Sequence, residues 1–175
     1  WFGKLPQNDP SAGEATFLLG MSEYYRGSLD RAYTAFNSLV TRLPLTEVYN
    51  NLGVVDARRG RHSVAAEYFS KAVNADPSDA DYRFNYALAL YKSGDSAGAI
   101  HQLREELQHR PTDAEAKSLL DMIGRGVTPP SGTSATSLSG QPRIPIERIK
   151  RNYDETSYRQ LQMEINNLSQ QRSPK

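Results

Sequence analysis

Residues 53–77 read GVVDARRGRHSVAAEYFSKAVNADP, and five positions in this stretch decide the fold. The steps between them are seven, five, four and eight residues, and the positions are Gly53, Gly60, Ala65, Phe69 and Pro77. The same steps occur 33 residues earlier, at Gly20, Gly27, Ala32, Phe36 and Pro44, and 34 residues later, at Ala87, Gly94, Ala99, Leu103 and Pro111. A repeat of this length is typical of a solenoid, in which each unit buries its apolar face only against its neighbours.

Each unit is expected to consist of two antiparallel helices. The second position of the pattern is glycine because it ends the first helix, where a left-handed conformation is cheap only for glycine. The third is alanine because the two helices cross there, and the aromatic or leucine position fills the space between neighbouring units. Proline stops the second helix because it lacks a backbone N–H. Ser11 with Glu14, and Thr112 with Glu115, have capping-box spacing and predict two helix starts.

The three copies resemble the tetratricopeptide repeat (TPR). This resemblance implies an all-α solenoid, with antiparallel helix pairs in a right-handed superhelix, and residues 13–124 are expected to form three units plus a closing helix. The departures are small: Glu23 and Asp56 stand where the family usually has tyrosine, and Glu106 replaces a small residue. TPR proteins generally bind other proteins and do not catalyse reactions, so the resemblance implies a binding module and not an enzyme.

Three segments flank the repeats. Residues 1–12 are interpreted as the end of a preceding repeat, with Pro10 as its final proline. Residues 125–145, in which Gly, Pro, Ser and Thr dominate, predict a flexible linker. Residues 146–175 predict a basic amphipathic C-terminal helix. Its apolar stripe has steps of three, four and three residues and consists of Tyr158, Leu161, Ile165 and Leu168.

Composition narrows the class of function. The formal net charge is +1, so no strong field indicates nucleic acid or an anionic membrane. There is no cysteine, and the three histidines do not have the spacing of metal ligands. No apolar run reaches the roughly 18 residues of a membrane span. The sequence contains no recognisable catalytic motif and predicts no cofactor or metal, and it does not indicate a compartment.

By the resemblance, the first helix of each unit lines a concave face that binds ligands. The candidate contacts are Phe17, Met21, Tyr24, Asn51, Val54, Arg58, Asn85, Leu88 and Lys92. Asn51 and Asn85 occupy one position in successive repeats, and an amide side chain can both donate to and accept from the main chain of an extended peptide. The alternative is that both only hydrogen-bond the adjacent helix. Glu14, Glu47 and Asp81 are expected to line one rim.

An acidic rim over an apolar floor suits an apolar or basic ligand and disfavours a C-terminal carboxylate. The sequence therefore predicts a protein–protein interaction scaffold that binds an extended or helical segment of an unidentified protein or peptide. An alternative is self-assembly or autoinhibition, in which the chain's own C-terminal helix docks through its apolar stripe, in cis or in a homo-oligomer. A further alternative is an RNA-binding helical repeat, which the lack of a continuous basic track disfavours.

Overall fold

A computed structural model describes residues 10–128, 145–160 and 163. Within these residues the chain is helical, without strands, and forms three antiparallel helix pairs followed by a single helix. The helices are α1 (Pro10–Tyr25), α2 (Leu29–Val40), α3 (Thr46–Arg58), α4 (His62–Ala75), α5 (Ala80–Lys92), α6 (Ser96–His109) and α7 (Ala114–Gly124). Each helix packs on the next along the chain, so the predicted all-α solenoid is confirmed.

The recurring small residues have a steric reason. Gly60 has φ 76° and lies in the turn between α3 and α4, where a side chain would be strained. Gly53, within α3, lies against the ring of Phe69 on α4, and a Cβ at Gly53 would come within 2.6 Å of that ring. The aromatic position therefore packs inside its own helix pair, and the glycine of that pair makes room for the ring.

The apolar positions form the core of the solenoid. Phe36, Phe69 and Leu103 are fully buried, and so are the alanines where paired helices cross. One apolar cluster runs through the first two pairs, and a second joins α5 and α6 to α7. The closing helix therefore covers the apolar surface that the third pair would leave exposed, as a terminal helix of a solenoid must. Among the described residues, no helix is long and apolar enough to span a membrane.

Two expectations about helix starts are wrong. Pro10 is the first residue of α1, where proline fits because the first turn of a helix needs no backbone N–H. Ser11 therefore lies inside the helix and is not its cap. Asp113, not Thr112, is the N-cap of α7, and its carboxylate accepts a hydrogen bond from the amide of Ala116. Residues 1–9 lie outside the described residues.

The C-terminal segment also differs from the prediction of a helix over residues 146–175. Residues 145–154 have no regular secondary structure, and the helix begins at residue 155. Asp154 marks this start, since its carboxylate accepts a hydrogen bond from the Ser157 amide at 3.0 Å. The predicted linker lies largely outside the described residues, as do Leu161, Ile165 and Leu168 of the predicted stripe.

Candidate functional site

Residues 145–154 lie along the face formed by α1, α3, α5 and the start of α7; we call this face the groove and these residues the docked segment. The docked segment runs from the third helix pair towards the first, opposite to the order of the repeats. Its residue 148 lies at α5, residue 150 at α3, and residue 153 at α1. The groove is therefore occupied by the chain itself, in an extended conformation.

Two asparagines pair with the main chain of the docked segment. The Asn85 side chain accepts from the Arg148 amide at 2.6 Å and donates to the Arg148 carbonyl at 2.7 Å. One repeat earlier, the Asn51 side chain accepts from the Lys150 amide and donates to the Lys150 carbonyl, both at 2.8 Å. In an extended chain the polar groups of alternate residues point the same way, so the two asparagines contact residues that are two apart. We call this pair the asparagine ladder.

Asn50 joins the two sides of the ladder. Its Oδ1 accepts from Asn85 at 2.7 Å, and its Nδ2 donates to the Arg148 carbonyl at 2.9 Å. All three asparagines are fully buried. A buried amide is costly unless it is hydrogen-bonded, so the ladder is held in place by partners in the groove and in the docked segment.

Asn85→Ala is expected to loosen the docked segment without unfolding the solenoid. The substitution removes both hydrogen bonds to Arg148, and hydrogen–deuterium exchange at the Arg148 amide should accelerate about 10–100-fold. Asn74→Ala is the control, because Asn74 is exposed on α4 and should leave that exchange rate unchanged. Equal protection of Arg148 in both variants would show that the ladder does not hold the segment.

Arg148 enters an acidic pocket at the junction of α5 and α7. Its guanidinium lies 2.7 Å from Asp113 Oδ2, 3.0 Å from Glu115 Oε2 and 3.2 Å from Asp81 Oδ1. It also lies over the ring of Phe84, 3.7 Å from the ring centre. Both carboxylate pairing and a cation–π contact therefore stabilise the charge of Arg148.

Lys150 lies in a second acidic pocket, which shares Asp81 with the first. Its Nζ is 2.7 Å from Asp79 Oδ2 and 2.9 Å from Asp81 Oδ2, and it lies 4.9 Å from the centre of the Tyr82 ring. Burial alone would raise the pKa of Asp81, but hydrogen bonds from Lys150 and Arg110 lower it to about 2. Asp81 is thus ionised at any physiological pH and stabilises the docked segment.

The other end of the docked segment is held by mixed contacts. The Tyr153 ring packs on Phe17 with 5.3 Å between ring centres, and the Asp154 amide donates to Glu47 at 2.9 Å. A Cβ on Gly13 would overlap the Tyr153 hydroxyl, so a larger residue at this position would force the Tyr153 side chain to move. On the linker side, Lys92 pairs with Glu147 at 2.7 Å.

The predicted contact residues divide into groups. Those that touch the docked segment directly are Phe17, Asn51, Asn85 and Lys92. Met21 supports Asn51 at 3.6 Å, and Arg58 lies over the Tyr24 ring. Val54 and Leu88 are fully buried: Val54 lies in the cluster on which Ile149, Tyr153 and Tyr158 pack, and Leu88 in the cluster around α7. Whether these residues bind a foreign ligand stays a prediction.

Most of the acidic pocket was not predicted, although the sequence contains a signal for it. Counting 34 residues on from Asp79 and from Asp81 leads to Asp113 and Glu115, so the acidic pair at the start of α5 recurs at the start of α7. The prediction stopped this count at the third repeat. Glu106 was noted only as a departure from the repeat pattern, yet its carboxylate lies 3.9 Å from Arg148.

Other kinds of site find no support within the described residues. No group of three His, Asp or Glu side chains is placed to hold a metal ion. The groove carries carboxylates where a nucleic acid would need cations, so the charges of the solenoid do not favour RNA.

Comparison with known proteins identifies the repeats. Residues 50–116 match the family model described as tetratricopeptide repeat. These repeats are tetratricopeptide repeats, as the spacing of the sequence predicts. The chain is 26% identical over 136 residues to sperm-associated antigen 1 of Mus musculus, a match that covers 78% of this chain and 15% of that protein. The chain thus spans about 15% of the length of this relative.

Solved structures share the same architecture. The first TPR domain of Spaghetti, bound to an HSP90 peptide, aligns with a TM-score of 0.65 at 18% identity and covers 68% of this chain and 95% of that domain. The Yersinia enterocolitica chaperone SycD, in complex with a peptide of the translocator YopD, aligns with a TM-score of 0.63 at 19% identity and covers 69% and 98%. At these identities the likeness concerns the fold.

Proposed function

We propose that this chain is a protein-interaction scaffold whose groove binds an extended segment of basic character. The observation that carries the proposal is the asparagine ladder, which pairs with both the N–H and the C=O of alternate residues in the docked segment. Such pairing suits main chain of any sequence, while the acidic pockets favour cationic side chains. The peptide complexes of Spaghetti and SycD support a binding role for the same fold.

The charge of the groove sets this chain apart from a binder of acidic tails. The peptide held by the Spaghetti domain reads SRMEEVD and carries three carboxylate side chains. In this chain the corresponding kind of ligand would meet Asp79, Asp81, Asp113 and Glu115, and like charges brought together in a groove repel. The partner we expect is therefore basic, as the docked segment is.

Because the docked segment already fills the groove, we further propose that it competes with the partner in cis. A tether keeps the local concentration of the segment in the millimolar range, so a foreign ligand must bind well to displace it. Self-assembly is the second candidate, since the same contacts between two copies would join them. The extended conformation of residues 145–154 is equally compatible with competition in cis and with self-assembly.

The test compares the full wild-type chain with the full chain carrying Arg148→Glu and Lys150→Glu. Reversal of both charges places carboxylates against the acidic pockets and should expel the docked segment, while the buried core of the solenoid is unchanged. A fluorescent peptide of residues 145–156 is titrated into each chain. Autoinhibition predicts binding at least about tenfold tighter to the charge-reversed chain, because the competitor in cis is lost.

Other results of this titration would each reject one of the proposals. Equal affinity for the two chains would mean that the docked segment does not compete. No saturable binding to either chain would reject the scaffold function of this groove. A wild-type chain that is dimeric by light scattering, and becomes monomeric after charge reversal, would favour self-assembly. Circular dichroism of both chains serves as the control for folding.

A further inference from the structure

We infer that the groove is selective for side chains as well as for main chain, and that its ligands carry arginine followed two residues later by lysine in an extended segment. This inference rests on the proposed function and names the class of partner. The two positions correspond to Arg148 and Lys150 of the docked segment. A natural partner is thus a protein segment of the form Arg-x-Lys that competes with the chain's own copy.

The first pocket has the shape of an arginine site. Carboxylates of Asp113 and Glu115 contact the same guanidinium nitrogen, and Asp81 contacts the other terminal nitrogen. The flat face of the guanidinium stacks on Phe84. A lysine in this pocket would present one point charge, with no flat face to stack on Phe84 and no second terminal nitrogen for Asp81.

Glu106 closes the floor of the arginine pocket. Its side chain is fully buried beside the Asp113 carboxylate, and Oε1 lies 3.9 Å from Arg148. The other repeats have Leu39 and Ala72 at this position, so the carboxylate is not a requirement of the fold. A buried polar side chain at this floor adds an acceptor beside the bound guanidinium that the other repeats lack.

The second pocket suits an ammonium group. Lys150 Nζ lies between Asp79, the N-cap of α5, and Asp81, in the first turn of that helix. Asp79 also accepts from the Asp81 amide at 2.8 Å, so its carboxylate is held in position without the ligand. The Asp113 carboxylate is held in the same way by the Ala116 amide at 3.0 Å. Preorganised carboxylates lose little entropy on binding, which favours selectivity.

The spacing of the pockets matches that of the ladder. Side chains two residues apart in an extended segment lie on one face, and the ladder pairs with the main chain of these same two residues. The intervening Ile149 packs against the apolar cluster of the first two repeats. A ligand must therefore supply its two cations at alternate positions.

The experiment uses the full charge-reversed chain as receptor and four synthetic peptides of residues 145–156. The peptides are the parent, one with Arg148→Lys, one with Lys150→Ala, and one in which Ile146→Arg and Arg148→Ile exchange two side chains, so that no two cations stand two residues apart. The exchanged peptide keeps the composition and net charge of the parent. We expect it to bind at least about tenfold more weakly, and the Arg148→Lys peptide about tenfold more weakly.

Receptor variants provide the matched control. Glu115→Gln and Asp121→Asn both neutralise one carboxylate on α7, and both native side chains are 57% exposed, but only Glu115 contacts Arg148. Glu115→Gln should weaken the parent peptide and should reduce the penalty of Arg148→Lys, whereas Asp121→Asn should change neither. Equal affinity of the parent and exchanged peptides would overturn the inference and leave the scaffold function standing. Absence of saturable binding by the parent peptide would overturn both.

Discussion

Phe69→Ala is expected to lower the free energy of unfolding by about 3–5 kcal/mol. The ring is fully buried, and it packs so closely on Gly53 that a Cβ there would lie within 2.6 Å. Since Gly53 has no side chain that could move into the space, the truncation leaves a cavity between α3 and α4 that backbone rigidity prevents from closing. A loss of this size is a large part of the total stability of a small domain.

Urea unfolding followed by circular dichroism measures this effect. Val64→Ala is the matched control, because Val64 lies on the same helix but its side chain is 38% exposed, and its truncation should cost well under about 1 kcal/mol. An unchanged midpoint for Phe69→Ala would contradict the repeat register that assigns the ring to the core.

Glu106→Gln is expected to stabilise the chain by about 2–3 kcal/mol above neutral pH. Burial, with the nearby negative charge of Asp113, raises the pKa of Glu106 from 4.5 to about 7, although Arg148 and Arg110 oppose the change. The ionised carboxylate is therefore costly in the folded chain. Glutamine has nearly the same shape and no charge, so the substitution removes this cost.

The direction of the pH dependence follows from proton binding. Between pH 4.5 and about 7 the folded chain binds more protons at Glu106 than the unfolded chain does, so this residue makes stability fall as pH rises through that window. The Asp81 carboxyl acts in the opposite direction and at lower pH: its pKa of about 2 lies below the ordinary 3.8, and its contribution is lost as pH falls through that range. The two effects can therefore be separated by pH.

Urea unfolding at pH 4.5 and at pH 8 measures the effect of Glu106→Gln. The gain should be present at pH 8 and should nearly vanish at pH 4.5, where Glu106 is protonated in the folded chain and about half protonated in the unfolded chain. Glu105→Gln, on the same helix but only half-buried, should change stability by no more than about 0.5 kcal/mol at either pH. A stabilisation of Glu106→Gln that is the same at both pH values would show that its origin is not ionisation.

The sequence predicts the solenoid well because its signals are local. Glycine in a left-handed turn, or opposite a ring, is required by the geometry of one helix pair, and the pattern recurs with each pair. Counting positions also places Asn51 and Asn85 on one face. These features depend on residues within about 35 positions of one another, which is the length of one repeat.

The conformation of residues 146–154 could not be predicted from such local sequence signals. The run IERIKRNYD is compatible with a helix, but it is extended in the structure because its amides and carbonyls pair with Asn85 and Asn51, which lie 63 and 99 residues away. Tertiary partners override local propensity here. The role of Asp79 and Asp113 in the acidic pockets also depends on distant residues. Each caps the start of a helix, and each also contacts a cation of the docked segment.

The alternation of the ladder also fixes the alignment of the docked segment. A slip of one residue would bring Glu147 and Ile149, or Ile149 and Arg151, to the two acidic pockets, and a forward slip of two would bring Lys150 and Asn152. Within residues 145–160, only one register of the segment places a cation in each of the two pockets. The segment is therefore expected to dock in that register alone, and insertion of one alanine between Arg148 and Ile149 would put the two cations out of phase without altering the charge of the segment.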